Sequence, residues 1–61
     1  MLSRLEMIAK IEAYPNWEKD SKIAEGHRRL VAMSDEQYNR EAAAAIRHNP
    51  NHKMSKVLKG K

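Results

Sequence analysis

Sixty-one residues, 41% of them hydrophobic, make one domain at most, with a core of marginal size. With no cysteine, neither disulfides nor a thiolate zinc site can reinforce that core, and no stretch reaches the roughly 18–20 apolar residues of a membrane span. The net charge of +4 is split along the chain: residues 1–41 carry eight carboxylates against seven Lys or Arg, whereas residues 42–61 carry Arg47, Lys53, Lys56, Lys59 and Lys61 with no carboxylate.

The first predicted helix runs from about Leu2 to Tyr14 and is ended by Pro15, which disfavours helical backbone at the residue before it. Leu2, Leu5, Met7, Ile8, Ala9, Ile11, Ala13 and Tyr14 wrap most of its circumference, leaving Ser3, Glu6 and Lys10 as a polar strip with Arg4 and Glu12 intruding. A helix apolar on so many sides needs contacts on more than one face, which points to self-association or a partner.

The second predicted helix spans roughly Trp17 to Met33, with Asn16 as its cap and Glu18 and Asp20 early, where the helix dipole favours acids. Ile23, Ala24, His27, Leu30 and Val31 share one face; Glu18–Lys22 and Glu25–Arg29 stand at i,i+4 on the other. Gly26 in the middle costs about 1 kcal/mol against Ala and marks a close crossing, a kink or a break. His27, mid-face, is expected to be partly buried and hydrogen-bonded, with Asp20 or Glu12 as partner.

The third helix has the clearest start. Ser34 followed by Gln37 fits the capping box, Asp35 and Glu36 fill the first turn, and the helix runs to His48 before Pro50. Tyr38, Ala42, Ala45 and Ile46 form its apolar face, while Arg40 and Arg47 lie on the far side, with Glu36 at i−4 to Arg40. After Asn49-Pro50-Asn51, a short element over about His52 to Lys59 is stopped by Gly60. Met54, Val57 and Leu58 fall on one side of it and Lys53, Lys56 and Lys59 on the other, and a segment so short must dock to be ordered.

Arg40, Arg47, Lys53, Lys56, Lys59 and Lys61 are the residues that would contact phosphates, with Met54, Val57 and Leu58 as anchors; the bland alternative is a solvated lysine face. A helix-turn-helix reading would use Gln37, Asn39, Arg40, Ala44 and Arg47 on base edges, but Glu36 and Glu41 on the same helix would repel phosphates. His48 and His52 have a metal-ligand spacing, yet Asn49-Pro50-Asn51 breaks the helix between them and no third ligand is near in sequence. Lys53-Met54-Ser55-Lys56 spells the start of the KMSKS signature of class I aminoacyl-tRNA synthetases, which acts on a loop of a nucleotide-binding domain far larger than this chain. No cysteine nucleophile, Gly-rich phosphate loop or paired carboxylates offer catalysis. Trp17 and Tyr14 pack a corner of the core or serve as aromatic anchors for a protein partner.

The sequence therefore predicts an all-α fold: a small three-helix bundle over residues 1–48 with a short basic C-terminal helix or tail over 49–61. No signal peptide is expected, because Glu6 interrupts the apolar N-terminus and no small-residue cleavage site follows; a cytoplasmic location is the expectation. The expected function is non-enzymatic binding, without cofactor, metal, membrane or small-molecule substrate. One reading is a nucleic-acid-associated protein of low sequence specificity that uses the basic segment. The other is a regulator, inhibitor or adaptor that docks Met7, Ile11, Tyr14 and Trp17 of the first helix region on a larger protein, as phage-type accessory proteins do. Either reading goes with a homo-oligomer or hetero-complex.

Overall fold

Each helix begins where a side chain can satisfy the orphan N–H groups of its first turn. The computed structural model describes residues 1–60 and contains four α-helices: α1 (Arg4–Glu12), α2 (Ser21–Ala32), α3 (Asp35–His48) and α4 (Lys53–Lys59), with a 3-10 turn at Trp17–Lys19. Ser3 and Glu6 form a reciprocal capping box on α1: the Ser3 hydroxyl accepts from the Glu6 N–H at 3.1 Å, and the Glu6 carboxylate accepts from the Ser3 N–H at 2.9 Å. That Ser3 N–H, and after it the hydroxyl, holds the Glu6 carboxyl below the ordinary carboxylate value. Ser34 caps α3 as its spacing predicts, accepting from the Gln37 N–H, but the Gln37 side chain turns away to Glu41, so the box is only half made.

The helix expected over residues 17–33 forms differently. Asn16 has a φ of 62°, in the left-handed region that Asn tolerates, and its side chain caps nothing. The chain then makes one 3-10 turn, becomes extended at Asp20, and starts α2 there, with the Asp20 carboxylate accepting from the Lys22 and Ile23 N–H groups at 3.0 and 3.2 Å. Glu18 thus lies outside α2 and cannot pair with Lys22 along it, and Arg29 reaches Glu41 on α3 at 3.4 Å instead of Glu25. Gly26 does not break α2, which runs unbroken from Ser21 to Ala32, and no close crossing occurs there: a Cβ built on it would meet nothing within 4 Å.

The helices pack as two hairpins, α1 on α2 and α3 on α4, joined where α1 meets α3. Met7, Tyr38, Ala42 and Leu58 are buried at that junction, flanked by Leu2, Leu30, Met33, Ile46 and Val57. Each large side chain among the four contributes roughly 1.5–3 kcal/mol. Polar contacts set the geometry. Arg4, only 19% exposed in its side chain, donates from Nη1 to the Leu30 carbonyl at 2.9 Å and from Nε to Asp35 Oδ1 at 2.8 Å. It thereby satisfies a carbonyl in the last turn of α2 and pins α1 across the α2–α3 turn. Leu2 is clamped on both sides, its N–H donating to the Leu58 carbonyl at 2.8 Å and its carbonyl accepting from the Tyr38 hydroxyl at 2.7 Å. Burial, and after it the negative charge of Glu6, pushes the Tyr38 hydroxyl above its usual pKa. Among the described residues no helix is long and apolar enough to cross a membrane.

Candidate nucleic-acid interface

The basic end depends on how a seven-residue helix is held. Asn49 closes α3, its N–H donating to the Ala45 carbonyl, and the chain turns through Pro50 and Asn51. His52 then caps α4: Nδ1 accepts from the Met54 N–H at 3.0 Å, so in the neutral ring the proton sits on Nε2. Ser55, 2% exposed, donates its hydroxyl to the Asn49 carbonyl at 2.6 Å, with the Ala45 carbonyl 3.3 Å away. Leu58 enters the core one turn later, and Gly60, at a φ of 84°, ends the helix in the left-handed conformation that glycine takes without strain.

These contacts fix the rotation of α4. With Ser55 and Leu58 turned to the body, Lys53, Lys56 and Lys59 lie exposed on its other side. Arg47 is exposed near the C-terminal end of α3, next to the turn that leads into α4. Lys59 donates to the Pro50 carbonyl at 3.3 Å, and among the described residues no carboxylate forms an ion pair with Arg47, Lys53, Lys56 or Lys59. Arg40 stands apart, 3.5 Å from Glu36 on the exposed face of α3, an exposed i,i+4 pair of small energetic weight. Lys61 lies outside the described residues. Lysine ammonium groups are flexible point charges that suit phosphate oxygens but do not read base edges in a fixed plane. Of the side chains that a helix-turn-helix reading would use, Gln37 is tied to Glu41 and Arg40 to Glu36.

The residues expected at a protein interface are scattered. Met7 is buried at 6% exposure and serves the core. Ile11 is half-buried, and Tyr14 is 63% exposed. Trp17 is half-buried and lies against the His27 ring with centroids 4.3 Å apart, covering the junction of α1 and α2. His27 takes Glu12 rather than Asp20 as its carboxylate partner, at 3.0 Å from Nε2. Among the described residues no group of three His, Asp or Glu side chains gathers as a metal site.

Sequence reasoning missed Ser55, which docks the helix that carries the site, and Arg4, which ties α1 to the α2–α3 turn. Ser55 reads as an ordinary tail serine, yet it stands three residues before Leu58 on the docked face, and that spacing was the available signal. Arg4 reads as an intrusion into an apolar helix, and nothing local announces partners 26 and 31 residues away. No known protein family model, curated protein or solved structure matches the chain.

Proposed function

We propose that this chain is a non-enzymatic nucleic-acid-binding protein that holds the phosphate backbone along α4 and the adjoining end of α3, with little sequence specificity. The observation that supports this reading is the docking of α4 through Ser55 and Leu58, which leaves Lys53, Lys56, Lys59 and Arg47 outward with no opposing carboxylate among the described residues. Clustered cations of one sign attract a polyanion and release its condensed counterions on binding. The test is fluorescence anisotropy of labelled duplex and single-stranded oligonucleotides, comparing wild type with a variant carrying Lys53→Gln, Lys56→Gln and Lys59→Gln. All three side chains are exposed, so the fold is preserved while binding should be lost. Equal binding by the two proteins would refute the assignment of the site.

A second reading, a regulator or adaptor that docks the α1 region on a larger protein, is favoured by Leu5 and Tyr14, which are 65% and 63% exposed. It predicts that Tyr14→Ala abolishes partner capture with unchanged folding, and that the lysine variant keeps it.

A further inference from the structure

Among the described helices, α4 differs from the rest in the chemistry of its cap. Ser3, Asp20 and Ser34 cap α1, α2 and α3 with hydroxyl or carboxylate oxygens. At α4 the cap is an imidazole, with His52 Nδ1 accepting from the Met54 N–H at 3.0 Å. A neutral ring has one acceptor nitrogen, and a protonated ring has none, because both nitrogens then carry hydrogen. Histidine is the side chain that makes this change between pH 5 and 8. The atom that closes the first turn of α4 is therefore the atom that takes the proton.

His52 holds α4 at three points. Its N–H donates to the Asn49 carbonyl at 3.1 Å, its carbonyl accepts from the Lys56 N–H at 3.1 Å, and its ring accepts from Met54. A helix of seven residues does not persist alone in water, so these contacts and the docking of Ser55 and Leu58 keep it formed. A proton on Nδ1 would set two N–H donors against each other 3.0 Å apart, and the ring must then turn away. The imidazolium would also stand at the positive end of the helix dipole. The surrounding charges do not compensate. α3 packs along α4 and brings Arg47 and His48 in its last turn, and α4 itself adds Lys53 and Lys56. The segment before α1 meets α4 at Leu58, at the other end of the helix. Arg29 of α2 and Glu41 of α3, which share a groove with Met54, pair with each other at 3.4 Å. Among the described residues no carboxylate forms an ion pair with His52.

We infer that His52 is a pH-sensitive fastening for α4: the neutral ring caps the helix, and a proton on Nδ1 releases its first turn and loosens its docking on the body. The stabilisation is present above the range in which histidine titrates and is lost as pH falls through it. The burial of Leu58 and the Leu2–Leu58 backbone contact loosen with it, because both depend on the position of α4. The Ser55 hydroxyl still reaches the Asn49 carbonyl, so the result is a larger open fraction of α4 on a folded body. This device belongs to the free chain and is independent of the nucleic-acid reading.

Amide hydrogen exchange of the full chain at about pH 7.5 and about pH 5 tests it, read as protection factors so that the intrinsic pH dependence of exchange cancels. Protection of the Lys56, Val57 and Leu58 amides should fall about fivefold at the lower pH relative to α2 and α3, the ratio that loss of one N-cap produces. His52→Asn, at an exposed position, supplies a cap that does not titrate in this range and should abolish the response, whereas His48→Asn should keep it. A measurement on wild type stands independently of these variants: nitrogen NMR shifts of the His52 ring at the higher pH should show Nδ1 bare and the proton on Nε2. Protection of α4 that does not change with pH, an undiminished fall in His52→Asn, or a proton on Nδ1 at the higher pH overturns the inference.

Discussion

Replacing Tyr38 by Phe removes one oxygen and tests how the N-terminus is tied to the bundle. Tyr38 is 3% exposed, and its hydroxyl donates to the Leu2 carbonyl at 2.7 Å, across 36 residues of sequence. Phenylalanine keeps the ring packing against Met7, Ala42 and Leu58 but leaves that carbonyl without its partner. The net loss of such a bond is about 1–1.5 kcal/mol. A chain of 61 residues gains about 0.13 kcal/mol/K of entropy on unfolding, so the melting temperature should fall by roughly 8–12 °C. Thermal unfolding followed by circular dichroism at 222 nm measures this directly. The pH dependence adds a signature that packing changes cannot copy. Because the folded protein holds the Tyr38 proton to higher pH than the unfolded chain, the contribution is fully present below the unfolded pKa near 10.0 and is lost as pH rises through the folded value. The gap between wild type and Tyr38→Phe should therefore narrow above about pH 10, with lysine titration common to both. An unchanged melting temperature at neutral pH would mean that the hydroxyl does not hold Leu2 in solution.

Two further substitutions probe the local architecture. Ser55→Ala strips the hydroxyl from a buried site and removes one of the two hydrogen bonds to the Asn49 carbonyl, which keeps the His52 N–H at 3.1 Å, costing about 0.5–1.5 kcal/mol. Amide hydrogen exchange over Lys53–Lys59 should accelerate more than exchange in α2, and uniform protection would contradict the docking scheme. Asp20→Ala deletes the α2 cap and should cost about 1 kcal/mol by urea denaturation, whereas Asn16→Gly, at a left-handed position that glycine tolerates, should be close to neutral. A large loss for Asn16→Gly and none for Asp20→Ala would move the start of α2 back to residue 17.

The all-helical character, the start of α3 at Ser34 and the outward lysines of α4 were legible because caps, proline breaks and 3.6-residue periodicity are local signals, whereas the anchoring face of α4 was misplaced: Met54, expected to anchor it, is 52% exposed, and Ser55 is buried beside Leu58 instead. The beginning of α2 was not legible. Asn16 and Asp20 are both cap-competent residue types four positions apart, and the choice depends on Asn16 entering the left-handed region after the Tyr14–Pro15 bend. The Ser3–Glu6 box was present in the spacing but reads equally as a polar strip. At the basic end, the outward phase of Lys53, Lys56 and Lys59 followed from their period, whereas the anchoring of α4 through Ser55 and the Leu2–Leu58 contact joins distant segments. Met7 shows the limit of a helix apolar on many sides: the pattern did not reveal which side would face Tyr38 and Ala42 and which, with Leu5, would face water. Gly26 read as a break or a close crossing, but α2 runs through it unbroken and no atom approaches within 4 Å of where its Cβ would stand.

The measurement that bears most directly on the proposed function is the salt dependence of oligonucleotide binding by wild type. With about five phosphate contacts to duplex DNA, the logarithm of the association constant should fall against the logarithm of salt concentration with a slope near −4 to −5. That slope, with affinity in the micromolar range at low salt, is the result the account predicts. No binding at low salt, or binding whose affinity does not change with salt, would contradict it.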